Sequence, residues 1–391
     1  MRAMVAPRVS RHTSGKHLLP LLFFVVAVFA TGACTGHGEP RLEEARLAQE
    51  GPNDPGPTPG PLPDPECPTS GAVFPADLTS SSEPSDAGAT AGSFSVTPTG
   101  DARYVLPLEA APGRAGMSPR IALEYDGSGD GAVGFGVSLS GFSRVTRCPK
   151  NQAQDDAIAP IAYDDKDPLC IDGRRLVKVG EGAGVIEYRT IPESFTKVLA
   201  FFPAGWDPTL GPSSLRAYTK EGLTVDYGTT DDSKALASNG SVRAWWAARS
   251  RDRSGNWIGF EYLNDKNVED PAHPYTTEIL PDRISYTGHP NLPPSRSVVF
   301  VYNERPAQLV RTTFTGGMKL RTSRLLSKIE MRAPLNTIVR QYDLAYTSSS
   351  TTGRRLLSSL KECTAQGLCK PATRFGSVSY THLTLPTICS V

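Results

Sequence analysis

The side chains in this sequence with types and spacing suited to chemistry are seven cysteines, two histidines in the folded stretch, two acid-rich loops and a tryptophan pair. Nucleophilic catalysis needs a serine or cysteine held against a base. Between residues 92 and 375 the histidines are His273 and His289, each followed by proline in loop-like sequence (AHPY, GHPN), and no G-x-S-x-G elbow is present. Neither is read as a catalytic base. YDGSGDG at 125–131 sets Asp126, Ser128 and Asp130 at alternate positions before Gly131, as at the start of a calcium loop. Ser128 replaces the middle carboxylate, and Val137 stands twelfth where a glutamate belongs, so a glycine-rich β turn is the better reading. YDDKDPLCIDG at 163–173 has the composition of a solvated loop. Trp245 and Trp246, with Trp257 nearby, offer stacking surface for a sugar or a partner. Adjacent strand residues face opposite ways, however, so at least one of the pair belongs to a core. The Gly134-Phe135-Gly136 pattern lacks the strand-to-helix setting of a nucleotide fingerprint. No catalytic, cofactor-binding or metal-ligating residue is expected, and the chain is not expected to be an enzyme.

The cysteines depend on compartment. Arg2, Arg8, Arg11 and Lys16 precede the apolar run Leu18–Ala30, which is short for a membrane span and has the layout of an export signal. It ends in Thr31-Gly32-Ala33-Cys34, similar to a bacterial lipobox except that Thr31 stands where an aliphatic residue is usual. Residues 1–33 are read as a lipoprotein-type signal peptide and Cys34 as the lipidated residue; an ordinary cleaved signal with an incidental cysteine is the alternative. Either way the chain is exported, extracellular or anchored at the outer membrane, and disulfides are allowed. Local pairs Cys148–Cys170 and Cys363–Cys369 are the expected bridges, with reduced buried pairs as the alternative. Their dispersion does not suit zinc.

The elements that would carry these residues are strands. Residues 34–90 are Pro/Gly/Ser-rich, as in GPNDPGPTPGPLPDPECP, and read as a tether. Lys+Arg (41) and Asp+Glu (40) balance, which argues against a nucleic-acid partner. From 91 to 376 strand-like runs recur between turn signals: ARYVLPLEA, PRIALEYDG, GLTVDYG, NWIGFEYL, RISYTG, SVVFVYN and IVRQYDLAYT. In GLTVDYG, Leu223, Val225 and Tyr227 share one face. EG at 221–222 and SGN at 254–256 are expected hairpin turns. RTSRLLSKIEMR (321–332) is the best helix candidate but also reads as a strand. The fold class is therefore all-β, built from antiparallel strands and hairpins. VSYTHLTLPT (378–387) reads as the conceptual translation of a sequencing adapter, so 377–391 is expected to be an artefactual tail. A genuine terminal strand is the alternative.

Residues 91–150 resemble the start of the Salmonella virulence-plasmid B protein (SpvB) N-terminal domain family, which also opens the B components of insecticidal Tc toxin complexes. Gly92, Phe94, Val96, Gly100, Tyr104 and Pro107 fit its first element. Pro112, Gly113, Gly116, Met117 and Pro119 fit the second; Gly134, Gly136, Leu139, Gly141, Ser143, Arg147 and Cys148 fit the last. Val137 departs from the usual tryptophan. Further stretches, from LCIDGRRLV (169–177) to LCKPATRF (368–375), follow in the family's order.

The resemblance implies a structural role. The chain would be the N-terminal part of an exported toxin-complex or RHS-like virulence protein, helping to build a β-shell that encloses or presents a C-terminal effector. Its partners would be other toxin-complex components, or its own downstream propeller and RHS regions, with the outer membrane reached through the lipid anchor. The family namesake's ADP-ribosylation needs a Glu-x-Glu pair in a separate domain, and no Glu-x-Glu occurs in this chain. A surface-anchored adhesion or carbohydrate-binding module is the second reading.

Overall fold

The computed structural model describes residues 90–376, within the compact unit Pro68–Val391; the unit Met1–Cys67 lies outside the described residues. The export signal, Cys34, most of the tether and the adapter-like tail therefore fall outside it.

The first four strands form their own antiparallel sheet in chain order: β1 (Ser93–Val96), β2 (Ala102–Leu108), β3 (Ile121–Gly131) and β4 (Gly134–Ser140). In ARYVLPL, Tyr104, Leu106 and Leu108 alternate onto one face and meet Tyr125, Leu123 and Ile121 across the ladder. Pro107 lies past the end of β1, where β2 needs no donor on that side.

The next strands are β5 (Arg144–Arg147), β6 (Leu169–Ile171), β7 (Arg174–Gly182), β8 (Val185–Ile191), β9 (Lys197–Phe201), β10 (Ser214–Tyr218) and β11 (Thr224–Tyr227). A short β12 (Lys234–Leu236) and a long β13 (Val242–Arg251) follow. Each strand from β5 through β11 pairs antiparallel with the next, and β13 then pairs with both β11 and β5. This closes an antiparallel barrel of eight strands, a size at which side chains fill the interior. Val145, Leu176, Val198, Leu215, Tyr227 and the fully buried Trp245 are among that filling. Gly228 has φ +63°, and a Cβ there would meet the Trp245 ring at 2.4 Å, so both backbone and packing require glycine.

Beyond β13 the sheet continues through β14 (Trp257–Lys266), β15 (Thr276–Gly288) and β16 (Arg296–Glu304). A separate hairpin of β17 (Arg311–Thr315) and β18 (Met318–Thr322) interrupts it. Strands β19 (Arg324–Arg332), β20 (Ile338–Ser348), β21 (Arg355–Thr364) and β22 (Thr373–Arg374) complete it. The inner face of the first sheet covers this extension. Leu106, Leu123, Ile284, Phe300, Ile329 and Tyr342 share that second core.

The expected turns at 221–222 and 254–256 lie in the β10–β11 and β13–β14 connections. The ambiguous stretch 321–332 is extended, ending β18 and supplying β19.

Candidate functional site

The 109–120 connection between β2 and β3 frames an open cleft of 810 Å³. Leu108, Ala110, Ile121, Met331 and Val339 supply its apolar lining, with Arg120 and Arg340 among its polar groups. The connection is held from below by long-range hydrogen bonds. The Glu109 amide donates to Tyr342 Oη at 3.0 Å. Arg340 Nη1 donates to the Glu109 carboxylate at 2.9 Å and to its carbonyl at 3.3 Å, and Arg296 donates to the Pro112 carbonyl. The Arg340 guanidinium holds the Glu109 carboxyl below its usual range, while burial pushes the Tyr342 phenol up. Within the connection the Gly113 amide donates to Ser118 Oγ at 2.6 Å. A Cβ on Gly113 would fall 1.8 Å from the Met117 carbonyl oxygen, which excludes larger residues from this turn. The cleft is thus preformed and largely apolar in its lining, with Arg340 paired to Glu109 and Glu362. That chemistry suits docking of an extended apolar segment.

A second constellation surrounds Arg147, at the end of β5. Its Nε donates to the Val242 carbonyl at 2.7 Å and Nη2 to the Leu210 carbonyl at 3.1 Å. Nη1 reaches the Asp164 carbonyl and, at 3.3 Å, the Asp167 carboxylate. Asp167 in turn accepts from the Ala162 and Tyr163 amides at 2.9 and 2.6 Å. Burial lowers the Arg147 pKa, and Asp167 opposes that shift. A buried guanidinium with this many partners fastens the 148–170 loop to β13 and to the loop before β10. Ser143 plays a related part: its Oγ meets Asp172 at 2.6 Å and Tyr227 Oη at 2.8 Å.

The other residues singled out by sequence are placed as follows. Cys148 and Cys170 are joined, with Cα atoms 6.0 Å apart, as are Cys363 and Cys369 at 4.0 Å. Asp126–Gly129 bulge out of the β3–β4 ladder, where the register shifts between Tyr125 and Asp130. Asp130 faces a buried arginine, Arg305, at 3.0 Å. Arg305 also donates to the Gly131 carbonyl at 2.6 Å. Among the described residues no group of three or more His, Cys, Asp and Glu side chains is arranged to hold a metal ion. His273 makes an exposed contact to Asp270 at 2.9 Å, and His289 forms a backbone bridge with Leu292. Trp245 is enclosed in the barrel, donating to the Pro212 carbonyl at 2.9 Å, and cannot stack on a ligand. Trp246 and Trp257 carry Arg144 and Arg249 over their rings, at 4.9 and 4.5 Å. The sequence reading did not single out Tyr342, Arg340, Met331 or Arg305, because what they hold lies far away along the chain.

Residues 96–282 match the family model described as Salmonella virulence plasmid 65kDa B protein. No curated protein matches the chain. Among solved structures, TcdB2-TccC3 is similar over 75% of this chain and 17% of its own, at 18% identity and a TM-score of 0.61. The N-terminal domain of effector protein SpvB from Salmonella typhimurium strain LT2 is similar over 66% of this chain and 99% of its own, at 16% identity and a TM-score of 0.52. The Photorhabdus luminescens Tc holotoxin pore is similar over 77% of this chain and 17% of its own, at 18% identity and a TM-score of 0.58. At these identities the likeness is one of fold.

Proposed function

We propose, from the premise that residues 96–282 carry a domain of the Salmonella virulence plasmid B protein family, that this chain is a structural, non-enzymatic element of an exported toxin-complex or RHS-like protein. Its β domain would form part of a shell that encloses or presents a C-terminal effector. One observation carries the reading. The same fold makes up nearly all of the N-terminal domain of the effector SpvB and about a sixth of the TcdB2-TccC3 chain. Such a unit occurs both as a discrete domain and as a fraction of a much larger assembly. The placement of Arg147 and Ser143 agrees with a wall element, since both serve the folding of loops onto the barrel. The carbohydrate-binding reading draws no support from Trp245, which lies inside the barrel.

The test uses the natural gene including whatever lies downstream of codon 376. Deleting residues 91–376 should make the downstream region at least about tenfold more sensitive to limited proteolysis, because unenclosed chain is cut from its open state. Equal protection with and without the domain defeats the shell reading. Anchoring is a separate proposal resting on Cys34. A Cys34→Ser chain should move from the detergent phase to the aqueous phase, and unchanged partitioning would overturn it.

A further inference from the structure

We infer that the Cys363–Cys369 disulfide is a thiol-reducible clasp, which holds residues 369–375 along the outer edge of β21 and uncovers that edge when a small thiol opens it. On one side β21 pairs with β20 along its whole length. On the other side it carries the segment that follows Cys369. There the Lys370 amide donates to the Glu362 carbonyl at 2.9 Å, and the Phe375 amide to the Ser358 carbonyl at 2.9 Å. Between them Thr373 and Arg374 stand opposite Leu360 and Ser359. This cover is weak for its length. β22 is two residues long, and Pro371 has no amide to donate. Lys370 adds a partly exposed ion pair to Glu362 at 2.9 Å. The bridge supplies what these contacts lack, because it ties the start of the segment covalently to β21 beside Glu362.

The two ends of the bridge differ in access. Cys363 is buried in β21. Cys369 is half-buried and follows Thr364–Leu368, a stretch exposed at every residue. A thiolate therefore attacks Cys369 Sγ, forming a mixed disulfide as the Cys363–Cys369 bond breaks and Cys363 leaves as a thiolate that takes up a proton. A second thiol attacks the sulfur of the first and releases Cys369. In balance, two small thiols are oxidised to one disulfide and the bridge is reduced to two cysteines. Cys148–Cys170 is built differently. Cys170 lies within β6, between β5 and β7, and Arg147 fastens the intervening loop independently of the bridge. An oxidising compartment keeps the clasp at Cys369 shut, and a thiol-rich one opens it.

The experiment measures amide-resolved hydrogen exchange of the full chain with and without reduced glutathione, beside a Cys363→Ser, Cys369→Ser double variant. Iodoacetamide labelling and mass mapping follow the state of the bridge. Closing a loop of this size shifts an opening equilibrium about 50-fold. The Lys370 amide should therefore exchange about 50-fold faster once glutathione opens the bridge. In the double variant it should be that fast without glutathione, while Val198 in the barrel exchanges as in the native chain. Three results would each overturn the inference: a bridge that glutathione leaves closed, a Lys370 amide indifferent to its opening, or a rise shared by Val198 in the double variant. The last would make the bridge a staple of the whole domain.

Discussion

At the scale of single residues, buried charge in this domain serves placement of the chain, and Glu278 shows how that can be tested. It is buried on β15, accepting from the Ser323 amide at 3.0 Å with Arg324 at 3.7 Å. Burial raises its pKa from the ordinary 4.5, and the Ser323 and Arg324 interactions only partly oppose this. A carboxyl whose folded pKa is raised favours the fold while protonated. Its contribution is complete below the unfolded value and is lost as pH rises through the folded one. Glu278→Gln should therefore gain stability relative to the native chain as pH is raised from about 4 to about 8, because it removes that loss. Thermal unfolding of the two proteins across this range checks it. A melting-temperature difference independent of pH would show that Glu278 does not titrate with folding.

At the scale of elements, the 148–170 connection joins β5 to β6 and delivers Asp164 and Asp167 to Arg147. The cysteines that bound it are 22 residues apart. Closing a loop of that size restricts the unfolded chain by about 3 kcal/mol. The Cys148→Ser, Cys170→Ser double variant should lose roughly that much stability in denaturant titration. Non-reducing mass mapping of the native chain should recover the two cysteines in one linked peptide; free thiols there would end this prediction. Element scale is also where sequence reading is most informative. The 2-residue alternation of GLTVDYG places Val225 and Tyr227 in the barrel as expected. Asp226 on the opposite face is buried too, between Arg216 at 2.6 Å and Arg251 at 2.9 Å. The stretch 321–332 reads ambiguously for a physical reason. In β19, Leu325 and Leu326 are both buried, as are Ile329, Glu330 and Met331 in succession. Cover on both faces, with a register shift opposite at Val301/Tyr302, erases the period that marks a strand.

At the scale of the whole described domain, what sequence could not supply is closure. The hairpins from β6 to β9 and from β10 to β11 follow from local turns, but the barrel exists only because β13 returns to both β11 and β5. The cleft has the same origin, since Arg340 and Glu109 meet across 231 positions. Such pairings depend on which faces remain apolar after all strands have formed, and no window of sequence contains that information. The same long-range strand makes the two cores dependent on one another. β13 places Val242, Trp245 and Ala247 in the barrel while pairing with β14 of the extension. Phe260 on β14 packs against both cores. Removing the Trp245 side chain should cost about 3–5 kcal/mol, as for other fully buried large aromatics. If β13 couples the cores, Trp245→Ala lowers the protection of slow-exchanging amides at Leu106 and Ile284 by the same free energy as at Val198 and Leu215. Loss confined to the barrel strands would mean that the two cores open independently. A shared loss is what a wall element requires, because strain on one part is then resisted by the whole.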